Sequence, residues 1–284
     1  MAKTAKQLVS GIVNVVSMPD IFFKLDDAIN NPYADISNIA NIISEDPGLS
    51  ARLLKIANSS LYSFPSKIET ISRAITIIGT KQLRDLTLAT SVLNAFKDVS
   101  SEVLDMGSFW RHSIACGIAA RTIGVYRRVA NIERLYVLGL MHDIGRLIMH
   151  MEIPSQAAET LEVAVVEKKF LHDVEKQILG YDHCEVGSEL MKSWKLPASL
   201  CEPVLHHHRQ VTTNHSADDN TMLYFAEVIS TAMALGNSGE YYVPAIDTAM
   251  WDSLGLQASM LEVIIDHIDH EYATAVELFL GEDA

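Results

Sequence analysis

Apolar residues recur at helical spacing along nearly the whole chain, and long alternating runs joined by hairpin turns are absent. The expectation is an all-α protein with few strands or none. Capping residues mark the helix starts. Pro19 takes an N1-like position after Met18, Asp35 precedes the Ile36, Ile39, Ile43 stripe, and Asp46-Pro47 opens Leu49, Leu53, Leu54 and Ala57. Thr70 opens Ile71, Ala74, Ile75 and Ile78, Gly79 can end that helix, and Thr80 starts another through Leu83, Leu86 and Leu93. Short helices with short connections suit a helical bundle.

Residues 97–107 are polar and carry no cap in their middle. They read as a seam between an N-terminal bundle, residues 1–100, and a C-terminal helical half, residues 101–284. Beyond the seam the pattern predicts a helix over 110–126, another over about 131–148, shorter ones after Pro154, Asp182 and Pro197, and one from about Asp219. Asn237-Ser238-Gly239 reads as a turn, residues 241–244 as extended, and residues 258–280 as a last long helix. That helix carries Leu261, Ile264, Ile265, Ile268 and Tyr272 on one face, and closing the core is the preferred role over meeting a partner.

At 284 residues, 49% of them hydrophobic, the chain can bury a sizeable core. A formal net charge of −14 with no run of Lys or Arg would repel a phosphate backbone, so nucleic acid is not an expected partner. No apolar run approaches the roughly 18 residues of a membrane span, and the N-terminus lacks a cleavable leader pattern. A cytoplasmic location is the default. Cys116, Cys184 and Cys201 show no paired spacing and read as small buried thiols rather than a disulfide or thiolate framework.

Histidine changes the picture, because its eleven copies fall after residue 110 and several adjoin carboxylates or one another. His112 lies on one predicted helix, and His142-Asp143 comes near the end of the next, just before Gly145. His183 opens a third helix and His207-His208 closes a fourth. Neutral imidazoles and carboxylates at helix ends suit a divalent cation such as Mn²⁺, Fe²⁺, Zn²⁺ or Ni²⁺. Two cations bridged by Asp143 would lower the pKa of a shared water and steady an in-line attack on phosphorus, which is phosphohydrolase chemistry. Each residue also has a plainer reading. A lone helical histidine such as His112 is more often a packed residue, and residues 206–208 could complement a helix dipole. Asp182 with Glu185 reads as a capping box. His150, His172, His215, His267 and His270 lack comparable partners, and Trp110, Trp194 and Leu196 read as core anchors.

These residues resemble the HDOD domains, a branch of the HD superfamily found mainly in bacterial signalling proteins. The likeness runs over roughly residues 15–235. It is carried by residues 45–59, from Glu45-Asp46-Pro47-Gly48 to Ile56-Ala57-Asn58-Ser59, and by Ile71-Ser72-Arg73-Ala74-Ile75, Trp110-Arg111-His112-Ser113 and Gly139-Leu140-Met141-His142-Asp143-Ile144-Gly145-Arg146-Leu147. Gly180-Tyr181-Asp182-His183-Cys184-Glu185-Val186-Gly187, Trp194-Lys195-Leu196-Pro197 and His207-His208 complete it. The resemblance implies an N-terminal helical bundle and an HD-like helical core. It also implies a metal-ligand set of His112, His142, Asp143, His183, His207 and His208.

Three departures bear on activity. The closing aspartate of HD enzymes is matched by Glu227, whose carboxylate stands one methylene further out. The Gly-Tyr-Pro of the related HD-GYP phosphodiesterases has no counterpart after His207-His208. Their lysine after Asp-Ile-Gly is Arg146, which can bind phosphate but is a poor proton donor. Two functions follow as expectations: a signalling module working through contacts with a separate protein, or a metal-dependent phosphohydrolase with Asp143 and Arg146 in its catalytic machinery. A phosphorylated small molecule or nucleotide bound without turnover is a third.

Overall fold

The computed structural model describes residues 3–12, 17–97, 99, 103–209, 217–246 and 248–281. Among the described residues the regular structure is entirely helical, with no strand, as the apolar spacing predicts. Contacts divide the chain into two compact units, Met1–Ser17 with Val99–Ile268, and Met18–Asp98 with Asp269–Ala284. This partition differs at both chain ends from a simple cut at residue 100. The first helix, α1 (Ala5–Ile12), buries Leu8, Val9 and Ile12 within the C-terminal unit, and the last turns of the final helix group with the N-terminal one. The seam itself includes residues 98 and 100–102, which lie outside the described residues.

The N-terminal unit contains α2 (Asp20–Asn30), α3 (Ile36–Ser44), α4 (Pro47–Ala57), α5 (Ile71–Ile78) and α6 (Thr80–Ala95). The predicted caps act as local hydrogen bonding requires. Asp35 accepts from Asn38 N, Asp46 from Leu49 N and Thr70 from Arg73 N, each satisfying an otherwise orphaned amide of the first turn. Pro19 sits one position earlier than expected, at the N-cap of α2. The apolar stripes close on one core of Leu25, Ile43, Leu53, Ile56, Ile75 and Leu83. Asn58 ties the end of α4 to the following loop: its amide donates to Leu54 O and Ile68 O and accepts from Ile68 N, at 2.7–2.8 Å.

The C-terminal unit is built on α7 (Met106–Tyr126), which starts earlier than predicted because Asp105 caps Ser108 N. The single helix expected over 131–148 is instead two, α8 (Ile132–Met141) and α9 (Ile144–Glu152). Asp143, at φ −99° and ψ 8°, breaks the helical ladder between them and aims its side chain inward. Gly139 permits the α7–α8 crossing, since a Cβ there would stand 2.4 Å from the Cys116 carbonyl carbon and oxygen.

The remaining helices are α10 (Pro154–Glu167), α11 (Leu171–Leu179), α12 (His183–Ser193), α13 (Ala198–Leu205), α14 (Ala217–Ala232), α15 (Thr248–Ser253) and α16 (Met260–Leu280). Helices α1, α11 and α15 were not legible in the pattern: they are short, and α11 is held by Leu171 and Val174 packing on Ala164 of α10. Asp182 and Glu185 form the predicted capping box at α12. Within α16, Ile264 and Ile268 are buried, in keeping with core closure. No helix among the described residues is long and apolar enough to cross a membrane.

Candidate metal centre

The break between α8 and α9 places Asp143 at the middle of a buried cluster. Its Oδ2 lies 3.2 Å from His142 Nε2, while its Oδ1 lies 3.2 Å from His183 Nε2 and 3.6 Å from His207 Nε2. The two oxygens of one carboxylate therefore face histidines on opposite sides. His142, Asp143, His183 and His207 are all fully buried.

Backbone contacts set the ring orientations. His142 Nδ1 donates to Gly139 O and His207 Nδ1 to Val204 O, both at 2.7 Å, so each ring turns its Nε2 lone pair inward. Neither Nε2 has a hydrogen-bond partner, nor has either Asp143 oxygen. Buried polar atoms are seldom left so, and a cation would satisfy them.

The first side of the cluster comes from α7, α8 and α14. Glu227 Oε2 stands 2.9 Å from His112 Nε2 and 3.1 Å from His142 Nε2, so the extra methylene of glutamate is accommodated and the carboxylate reaches the site. Cys116, one helical turn after His112, directs its thiol to Glu227 Oε2 at 3.1 Å. The second side comes from α9, α12 and the end of α13. His183 Nε2 meets His208 Nε2 at 3.0 Å, and His208 stacks on His172 with ring centroids 4.2 Å apart. Gly145 makes this side possible: α9 lies so close to α12 that a Cβ at Gly145 would stand 2.0 Å from His183 O.

All seven ligand candidates, His112, His142, Asp143, His183, His207, His208 and Glu227, are thus brought together. Of the histidines set aside, His172 packs against the cluster and His215 lies outside the described residues. Three contributors were missed. Glu175 on α11 accepts from both the backbone N and Nδ1 of His183, at 2.9 and 2.6 Å, the carboxylate–histidine pairing that orients metal ligands. No signal points to it, because its helix was itself unrecognised. Ser238 binds Arg146, across 92 residues of sequence. Cys116 could have been found, since four residues after His112 is the same helical face.

Arg146 is the buried cation of the cluster. Its Nε faces Asp143 Oδ1 at 3.2 Å, its Nη2 faces His183 Nε2 at 3.4 Å, and its Nη1 donates to Ser238 O and Oγ at 2.9 and 3.0 Å. Burial alone would raise the Asp143 carboxyl, but the Arg146 and His142 charges hold it well below the usual range. Burial likewise opposes ionisation of Glu227, and His112 with His142 reverses that. The His142 imidazole, despite burial, is raised to about 10 by Asp143 and Glu227. Two buried carboxylates here demand positive charge, which a divalent cation supplies as well as protons do.

A cavity of about 140 Å³ leads to Glu227 and His208 between Phe170, Tyr224 and Tyr242, with Glu240 at its wall. Glu240 accepts from the backbone amides of Leu171, Tyr241 and Tyr242. The mouth is aromatic and acidic.

Proteins similar to this chain in sequence and fold are known. A curated uncharacterised protein of Treponema pallidum (strain Nichols) is 23% identical over 209 residues, 72% of this chain and 40% of that protein, so the chain spans well under half of that relative. An HDOD domain protein of unknown function from Geobacter sulfurreducens superimposes with a TM-score of 0.77 at 27% identity, covering 97% of this chain and 98% of that one. A protein of Shewanella amazonensis SB2B, described as a candidate phosphohydrolase, shares the fold with a TM-score of 0.71 at 24% identity, covering 96% and 97%. The profile of the HDOD domain family matches residues 15–210, and the chain belongs to that family.

Proposed function

We propose that this chain is a regulatory module that holds a divalent cation in its HD-like core and acts through contacts with a separate signalling protein. The observation that carries this reading is the engagement of Arg146. Its Nη1 is held by Ser238, its Nη2 and Nε face His183 and Asp143, and the residue is 1% exposed, so the guanidinium is turned into the protein and away from any phosphate arriving from solvent. The cavity that reaches Glu227 and His208, about 140 Å³, is well below the roughly 300 Å³ of small ligand pockets. Among the described residues no lysine or arginine lines it, and Glu227 and Glu240 would repel an anion. The same features disfavour a nucleotide receptor built on Arg146.

A metal-dependent phosphohydrolase is the second reading, favoured by the way the two Asp143 oxygens face imidazoles on both sides, as a bridging carboxylate would. One experiment separates the two. Protein purified without an affinity tag or chelator should contain stoichiometric metal, lost in His142→Ala, and Mn²⁺ should support no hydrolysis of bis-p-nitrophenyl phosphate above that of Asp143→Asn. Mn²⁺-dependent turnover abolished by Asp143→Asn would establish the hydrolase, and protein that takes up no metal would exclude both readings.

A further inference from the structure

The family resemblance and the cluster's geometry part company at one ligand. On the first side, the donors nearest one another are His112 Nε2, Cys116 Sγ, His142 Nε2 and Glu227 Oε2, all within 4.8 Å of one another. We infer that Cys116 is a metal ligand, completing with His112, His142 and Glu227 a closed tetrahedral site for a thiophilic divalent cation, Zn²⁺ in preference to Mn²⁺. This rests on the metal-binding reading above and specifies its ligands.

Distances support the assignment. A tetrahedral zinc with bonds near 2.0–2.1 Å to nitrogen and oxygen and near 2.3 Å to sulfur has edges of about 3.3 Å between N or O donors and about 3.6 Å from sulfur to either. The corresponding separations here are 2.9 Å for His112–Glu227, 3.1 Å for His142–Glu227, 3.1 Å for Cys116–Glu227 and 3.5 Å for Cys116–His112. Bringing these four to those edges requires shifts of at most about 0.5 Å, and the two remaining edges, from His142 to His112 and to Cys116, lie within 4.8 Å. His112 and Cys116 are one turn apart on α7, so a single helical face delivers both donors, and all four residues are buried. The buried His142 Nε2, without a hydrogen-bond partner, is directed into the same space.

The chemistry is that of a structural site. A thiolate among the donors selects Zn²⁺ over Mn²⁺, and four protein ligands leave no open position for water or substrate. On binding, the Cys116 thiol proton, now shared with Glu227, passes to solvent as the sulfur coordinates. Cys116 serves the first side alone; on the second side His183, Cys184, His207 and His208 form a separate candidate group, beside the Arg146 guanidinium that faces Asp143 Oδ1 and His183 Nε2.

The test uses the full chain loaded with Co²⁺ and, separately, with Zn²⁺. The expected results are one Co²⁺ per chain, intense visible bands of tetrahedral cobalt, and a near-ultraviolet sulfur-to-cobalt charge-transfer band. Cys116→Ser should lose that band and bind Zn²⁺ at least about 100-fold more weakly, more than the loss of an outer-shell partner causes. Cys184→Ser, which removes another buried thiol, should keep the band. X-ray absorption of the wild-type zinc protein should show one sulfur at about 2.3 Å, a result that depends on no variant folding. Cobalt bound without the charge-transfer band, a band lost in Cys184→Ser instead, or nitrogen and oxygen scatterers alone would overturn the assignment while leaving the metal reading intact. No uptake of either ion would overturn both.

Discussion

Arg146 Nε stands 3.2 Å from Asp143 Oδ1, one helical turn along α9, with both side chains buried. The guanidinium supplies positive charge to both Asp143 and His183, with Nη2 3.4 Å from His183 Nε2. Arg146→Ala should therefore leave Asp143 uncompensated and cost about 3–5 kcal/mol, the usual consequence of removing one partner of a buried ion pair. With excess Zn²⁺ the variant should regain part of that stability and bind two equivalents where the wild type binds one. Metal analysis after gel filtration, alongside urea unfolding, reads both effects.

Glu175 supports His183 from outside the donor set. Glu175→Ala removes the acceptor for two buried donors, the His183 backbone N and Nδ1, at roughly 3 kcal/mol. For a unit of this size that lowers Tm by roughly 6–12 °C. The zinc content should be unchanged, because the ligands from α7, α8 and α14 do not depend on His183. Calorimetry and metal analysis on one sample check the pair of outcomes.

Gly145→Ala should be among the most damaging single-methyl additions in the chain. The new Cβ would meet backbone atoms at 2.0 Å from His183 O and 2.6 Å from Gly187 N, and backbone cannot rotate away as a side chain can. Separating α9 from α12 costs more than the roughly 1–3 kcal/mol of ordinary overpacking. It also moves Asp143 away from His183. Loss of soluble protein, or a Tm drop much larger than that of Glu175→Ala, is the expected readout.

Mild acid should destabilise the fold through His150. Burial, reinforced by the Arg146 charge, lowers its imidazole from the ordinary 6.5 to about 4. Between those values the unfolded chain binds the proton and the folded chain does not. Stability is therefore full above pH 6.5, falls as pH drops toward 4, and loses nothing further from this group below that, with at most about 3 kcal/mol at stake. His172, also near 4 through burial and the His183 charge, adds a loss of the same sign. His150→Gln should flatten about half of the slope in denaturant midpoints measured across this window.

What the sequence determined by itself was everything settled within a few residues. Asp35, Asp46, Thr70 and Asp182 cap the helices they were expected to cap, because each bond runs from a side chain to an amide three residues on. The residue types at His112, His142-Asp143, His183 and His207-His208, with the resemblance they carry, likewise singled out the side chains that the fold brings together. Tertiary structure alone decided what that set became. The helix break at Asp143, the close approach of α9 to α12 at Gly145, and the joining of Cys116 to Glu227 and Arg146 to Ser238 across 111 and 92 residues all depend on how helices pack. Periodicity identifies which face of a helix is buried but carries no information about which distant face it meets, and the charges and donors of this site lie on those distant faces.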